Sequence, residues 1–168
     1  LMDKLSGMAD DRQQTPEGQL DIYGIDKLRF LDIPYTKLAE LVDEIGAPNH
    51  ELAMELWESE QYEAKILSCM LSDPARVTGD QADAWAESLE SWMLCDYCCA
   101  TILWQIPGAM RKAVEWANSD RETLICAGFS LIASIAANTP PNAEGELGFF
   151  DSALFLARKQ ASHENQQV

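Results

Sequence analysis

The residues best suited to chemistry in this chain are Trp92 and Asp96, which lie in a long apolar stretch. Asp96 is the only charged residue between Ser91 and Trp104. Because a carboxylate buried among apolar side chains is costly unless a partner satisfies it, we expect Asp96 either to be locked in a structural hydrogen-bond network or to be kept for function. On a helix, Trp92 and Asp96 would share one face. An aromatic plane beside a carboxylate could bind a flat cation and stabilise its charge.

Three cysteines of the same stretch, Cys95, Cys98 and Cys99, could suggest a metal site. Zinc sites usually need a second ligand pair at a suitable spacing, and the other candidates are Cys69, Cys126 and two distant histidines. Three cysteines within one apolar helix are more typical of packing residues, so we predict no metal. The odd total of five cysteines favours buried free thiols, and hence a cytoplasmic protein, over a disulfide framework.

The composition indicates a globular protein with an unusually acidic surface. Apolar residues make up 47% of the 168 residues, and no apolar run is long enough to cross a bilayer. The N-terminus shows no signal-peptide pattern. The net charge of −16 opposes non-specific adhesion to nucleic acid or to an anionic membrane. The acids concentrated in residues 38–63 are most simply interpreted as solvated helix faces.

The chain reads as a series of helices without a convincing strand. Local start and stop signals predict helices that begin at Pro34, Asn49, residue 60, Thr78, Ser91, Ala109, Arg121 and residue 145. Pairs of such helices recur about 30–40 residues apart, the length scale of helical-hairpin repeats. We therefore predict an all-α fold of helical repeats stacked as a short curved α-solenoid, with a compact helical bundle as the alternative. A single domain over 1–168 is expected, with a poorly ordered leader at 1–20 and tail at 162–168.

Several segments, in this order and spacing, resemble the AlkD-like DNA alkylation repair family over most of residues 20–137. The matching segments are Tyr23-Gly24-Ile25, Leu38-Ala39-Glu40, Ile45-Gly46, His50-Glu51-Leu52-Ala53, Glu55-Leu56-Trp57-Glu58-Ser59, Tyr62-Glu63-Ala64, Asp73-Pro74, Val77-Thr78, Ser91-Trp92, Cys95-Asp96, Glu115-Trp116 and Ala127-Gly128-Phe129. The resemblance implies HEAT-like repeats that grip duplex DNA, and glycosylase activity on purines alkylated to a positive charge, such as N3-methyladenine and N7-methylguanine. It implies no metal or organic cofactor.

The resemblance also assigns roles to individual residues. Asp96 would stabilise the cationic sugar that remains when the charged base departs, and Trp92 would contact the lesion or its deoxyribose. Tyr23, Arg111 and Lys112 would bind the nucleic acid. From the residues alone, a structural role remains open for both members of the pair, with Trp92 in the core and Asp96 capping or cross-linking helices.

Two departures from the family pattern favour a different function. Cys126 occupies the position of an arginine that reaches toward the DNA backbone in active members, and cysteine supplies neither charge nor fork geometry. Family members usually continue through further helical pairs, whereas this sequence ends at Val168. The alternative is therefore a catalytically degenerate HEAT-like module that binds a protein partner or unusually shaped DNA. A protein partner or a second copy of the chain would cover the apolar helix near residues 145–161.

Overall fold

The computed structural model describes residues 1–9, 15–89, 91–140 and 147–161, and every regular element in these ranges is helical. The α-helices are α1 (Met2–Met8), α2 (Glu17–Tyr23), α3 (Tyr35–Ile45), α4 (His50–Trp57), α5 (Tyr62–Leu71), α6 (Gly79–Glu87), α7 (Trp92–Thr101), α8 (Ala109–Ala117), α9 (Glu122–Asn138) and α10 (Leu147–Gln160). Short 3-10 turns occur at Lys27–Arg29, Pro74–Arg76 and Leu103–Gln105. The predicted all-α class is confirmed.

Local capping signals explain most of the helix boundaries. The Asn49 side chain accepts a hydrogen bond from the backbone N–H of Leu52 at the start of α4, and Thr78 does the same for Gln81 at the start of α6. These bonds satisfy N–H groups that would otherwise have no partner in the first helical turn. Gly46, with a φ of 84°, ends α3 in a backbone conformation that glycine adopts without strain.

The chain folds as two compact units, Leu1–Arg76 and Val77–Val168. In the first unit, α4 and α5 pack against each other and bury apolar residues from both helices, and α1 and α3 also pack against α5. The most completely buried side chains here are Leu5, Leu38, Ile66, Leu67 and Leu71. The hydrophobic contacts of α5 thus form the centre of this unit.

A buried acid organises the loop between α2 and α3. The Glu63 carboxylate accepts hydrogen bonds from the backbone N–H groups of Leu31, at 3.0 Å, and Ile33, at 3.3 Å. Between them Asp32 adopts a positive φ of 59°, and its side chain accepts hydrogen bonds from the backbone and hydroxyl of Thr15. Burial raises the pKa of Glu63 above the ordinary value, and the backbone donors only partly oppose this effect.

Helices α1 and α2 lie within the segment that we expected to be a poorly ordered leader. Leu5 of α1 and Leu20 of α2 are buried, so both helices contribute to the packed unit. Residues 10–14 of that leader and the predicted tail at 162–168 lie outside the described residues. The disorder of those segments stays a prediction.

In the second unit, α9 packs against both α7 and α8, and α10 lies against α8 and α9. At Gly128, α9 lies close to α8, because a Cβ atom added there would lie 2.3 Å from the backbone nitrogen of Ala117 in α8. Only glycine fits at this crossing without moving a helix. This contact fixes the position of α9, which carries part of the candidate site. Among the described helices, none is long and apolar enough to span a membrane.

Candidate active site

Helix α7 presents Trp92 and Asp96 on the side that faces away from its core contacts. Ser91 caps the helix by accepting a hydrogen bond from the backbone N–H of Leu94. The buried residues of α7 are Leu94, Cys95, Cys98 and Cys99, which form one face of the helix. Asp96 is exposed and Trp92 is half-buried one turn earlier, so the two share a face, as predicted.

The expectation that Asp96 is a buried carboxylate was wrong. Most of its neighbours in sequence are apolar, but the helical turn directs the buried ones, Leu94, Cys95, Cys98 and Cys99, to one side and leaves Asp96 on the other. The side chain therefore pays little desolvation cost and needs no buried partner. An exposed carboxylate is open to water and to a ligand, which suits a functional role better than burial would.

Helix α9 supplies the residue that orients Asp96. The hydroxyl of Ser130 donates a hydrogen bond to Oδ1 of Asp96. Nearby, the Cys99 thiol of α7 donates to the carbonyl of Ala127 in α9, at 3.6 Å, so the two helices are joined at two points. Within the described part of the chain, Oδ2 of Asp96 accepts no hydrogen bond. The arrangement holds one oxygen in place and leaves the other open for an incoming cation or water.

Cys126 lies on α9 one turn before Ser130 and close enough to Asp96 to be affected by its charge. Burial, chiefly, together with the neighbouring Cys95, Glu122 and Asp96, raises the pKa of Cys126 to about 11. The thiol is therefore neutral at physiological pH. Cys126 brings no positive charge to the surface beside Asp96, and its thiol is a poor nucleophile under these conditions.

The two cations predicted to bind nucleic acid are in different environments. Arg111 is exposed and has only a loose ion pair with Glu115, at 3.7 Å, so it can reach a ligand. The Lys112 side chain is 6% exposed, and its Nζ lies 2.6 Å from Oδ2 of Asp83. Trp116 donates its indole N–H to the other oxygen of Asp83, at 2.8 Å.

Lys112 is therefore enclosed in a structural ion pair, and its predicted contact with nucleic acid stays a prediction. Its ammonium group is held by Asp83 inside the second unit, and a phosphate could reach it only by breaking that pair. Tyr23 is half-buried at the end of α2, next to the left-handed Gly24, and belongs to the first unit. Its predicted contact with nucleic acid stays a prediction.

The cysteines of α7 are side by side in sequence but are packing residues in the structure. All three are buried, and Cys69 is buried in α5. Nowhere in the described ranges do three or more histidine, cysteine, aspartate or glutamate side chains converge in a way that could hold a metal ion. The candidate site consists of Asp96, Ser130 and Trp92.

The family model for the DNA alkylation repair enzyme matches residues 1–168. The chain belongs to this family. A curated relative is the uncharacterized protein Lin0241 of Listeria innocua serovar 6a, which is 28% identical over 93 residues, or 55% of this chain and 42% of the relative. The chain thus spans less than half the length of that relative.

A solved structure gives the fold of this DNA alkylation repair family member independently. It comes from a new family of proteins related to the HEAT-like repeat DNA glycosylases with affinity for branched DNA structures. The match has a TM-score of 0.83 at 21% identity and covers 99% of this chain and 68% of that one. The predicted HEAT-like helical-repeat fold is confirmed by this likeness.

Sequence reasoning proposed Trp92 and Asp96 as site residues of this family member but did not identify Ser130. No local pattern marks Ser130, because it lies 34 positions from Asp96 in sequence and meets it only through the packing of α9 on α7. The Asp83 contact of Lys112 was missed for the same reason, since 29 positions separate the two residues.

Proposed function

We propose that this chain is a DNA glycosylase that releases cationic alkylated purines, such as N3-methyladenine and N7-methylguanine, from duplex DNA. One observation carries the proposal: Asp96 is exposed, is oriented by Ser130, and lies one helical turn from Trp92. Membership of the DNA alkylation repair family supports it. The placement of the carboxylate suits electrostatic catalysis, because the oxygen can be close to a cation without a deep pocket.

Excision of a cationic base requires little from the protein except a correctly placed negative charge. A purine that carries a positive charge is already a good leaving group, and its departure leaves a sugar with oxocarbenium character. The Asp96 carboxylate would stabilise that sugar cation and orient the water that attacks it. The Trp92 ring, through its electron-rich face, would contact the charged base or the deoxyribose. Ser130 would hold the carboxylate in one orientation during both steps.

The test is release of 7-methylguanine from methylated duplex DNA at low salt by the wild type and the Asp96→Asn variant. We expect Asp96→Asn to lower the rate by a factor on the order of 100 or more, because it removes the charge that stabilises the sugar cation. Ser130→Ala should cause a smaller loss, since the carboxylate remains but is less well oriented. Asp120→Asn, at another exposed acid of the second unit, is the matched control and should retain the wild-type rate.

Equal release by wild type and Asp96→Asn, above the spontaneous rate of the same DNA, would contradict the catalytic assignment. Release by neither protein, with unchanged circular dichroism, would favour a second candidate function. That second function is binding of unusually shaped DNA without excision. It is favoured over excision by the neutral Cys126, which supplies no cation where active members of the family carry an arginine. The solved relative with affinity for branched DNA structures supports it as well.

Competition between DNA shapes separates the two proposals. If the chain recognises DNA by its shape, a four-way junction should compete for binding to the chain better than a duplex of equal length. Asp96→Asn should leave that preference unchanged. The Cys126→Arg variant adds a cation beside Asp96 and should strengthen binding to both DNAs, with Cys126→Met as the uncharged control. Equal binding of junction and duplex by the wild type would contradict the shape-binding proposal.

A further inference from the structure

Helix α10 has one face in the core of the second unit and an opposite face that carries large apolar side chains into solvent. Phe149, Ala153 and Leu156 are buried where α10 lies against α8 and α9. In contrast, Leu154 is 52% exposed and Phe155 is 67% exposed. Two adjacent large apolar residues on the outer face of a helix are typical of an interaction surface.

The residues that flank this apolar pair give the surface a charge pattern. Asp151, Leu154, Phe155 and Arg158 follow the spacing i, i+3, i+4 and i+7, so they form one stripe along the helix, opposite the buried face. We call these four residues the α10 stripe. Asp151 and Arg158 are about 10 Å apart along the axis, too far to pair with each other. Neither forms an ion pair with any residue in the described ranges.

We propose that the α10 stripe is a self-association surface on which α10 of a second copy packs antiparallel across a two-fold axis. An axis between Leu154 and Phe155 places Leu154 against the partner subunit's Phe155. The same axis places Asp151 opposite the partner subunit's Arg158. By symmetry the second Asp151–Arg158 pair forms at the other end. The apolar pairs would occupy the centre of the contact and the two ion pairs its ends.

The order of residues in the stripe is what selects a second copy as the occupant. An acid, two apolar residues and a base, spaced symmetrically about the centre of the stripe, become their own complement when the helix is reversed. Duplex DNA is not favoured, because the stripe carries one acid for one base and so has no net positive charge. A contact of one helix face is smaller than a standard protein interface, and each chain carries a net charge of −16, so the dimer should be weak and depend on concentration.

Sedimentation velocity of the full chain over a range of concentrations, at about 0.15 M salt to limit repulsion between copies, tests the proposal. The wild type should show a monomer–dimer equilibrium. Asp151→Arg and Arg158→Asp should each raise the dissociation constant about tenfold or more, because each places like charges opposite one another at both ends of the contact. The double variant Asp151→Arg/Arg158→Asp reverses both charges and should restore the wild-type dissociation constant.

Asp43→Arg is the matched control, because it makes the same charge change at an exposed position of α3 in the first unit and should not weaken the dimer. All three substituted positions are exposed, and circular dichroism checks that the fold is kept. A wild-type chain that stays monomeric at every concentration would overturn the proposal, and the α10 stripe would then contact something other than a second copy. A double variant whose dimer dissociation constant is as high as those of the single variants would also overturn the proposal. This inference does not depend on glycosylase activity or on DNA binding.

Discussion

Replacing Gly128 by alanine tests how α9 is positioned. The added Cβ would lie 2.3 Å from the nitrogen, 2.7 Å from the Cα and 2.9 Å from the Cβ of Ala117. Two of these atoms belong to the backbone and the third is fixed to it, so none can rotate away. The clash can be relieved only by moving α8 and α9 apart.

The size of the effect follows from these distances. Ordinary contacts of a Cβ atom begin near 3.4 Å, so the two helices would have to separate by roughly 1 Å at this point. Overpacking of this kind typically costs about 1–3 kcal/mol, and more where the backbone must move. The higher helix propensity of alanine adds about 0.5–1 kcal/mol to the free energy of unfolding and offsets part of this cost. We therefore expect Gly128→Ala to lower the free energy of unfolding by about 2 kcal/mol.

The assay is urea unfolding followed by tryptophan fluorescence and circular dichroism. Gly148→Ala, in α10, is the matched control, because a Cβ at Gly148 meets nothing within 4 Å. Because Gly148 lies in the first turn of α10, the substitution should raise stability by no more than about 0.5 kcal/mol through helix propensity. If Gly128→Ala is as stable as the wild type, the close helix crossing does not fix the position of α9 or of Ser130.

Three further predictions concern buried or shielded ionisable groups. Because the pKa of Glu63 is raised, the folded state binds more protons than the unfolded state. The contribution of Glu63 to the free energy of unfolding is therefore complete below pH 4.5 and is lost as pH rises through the folded-state pKa. In a series of urea unfolding experiments, the stability of the wild type relative to Glu63→Gln should fall with rising pH. Lys112→Met should cost about 2–3 kcal/mol in the same assay by leaving the partly exposed Asp83 without its cation, and a double-mutant cycle with Asp83→Leu should show strong coupling. Cys126, with a pKa of about 11, should react with iodoacetamide at pH 8 about 100-fold more slowly than in the unfolded chain, as measured by mass spectrometry.

The helices could be predicted from sequence because their signals are local. Asn49, Thr78 and Ser91 each cap a helix whose first turn directly follows them, and the predicted starts agree with the structure to within two residues. The lengths and spacing of these elements indicated helical repeats, with a compact bundle as the alternative, and the family resemblance indicated the HEAT-like type. Neither α1 nor α2 was predicted, because each is a short helix whose apolar residues gain their burial from contacts with distant parts of the first unit.

The candidate site was only partly predictable. The spacing of Trp92 and Asp96 fixes their shared face, but the apolar composition of residues 91–104 wrongly suggested that this face is buried. Burial depends on which side of α7 meets α9, and that is decided by tertiary packing. The environments of Arg111 and Lys112 could not be predicted from sequence for the same reason. These two cations are adjacent on one helix, but Arg111 is exposed and Lys112 is paired with Asp83.

The charge of the second unit constrains how the proposed glycosylase could work. From Val77 onward the sequence has five basic and twelve acidic residues, and Lys112 is already engaged. Few phosphates can then be neutralised, so affinity for undamaged DNA should be low. The same negative potential favours a base that carries a positive charge, and the exposed Asp96 concentrates that potential at one point. An acidic surface that weakens binding to ordinary DNA therefore increases the relative preference for a cationic lesion, and the proposed activity needs that preference more than it needs tight binding.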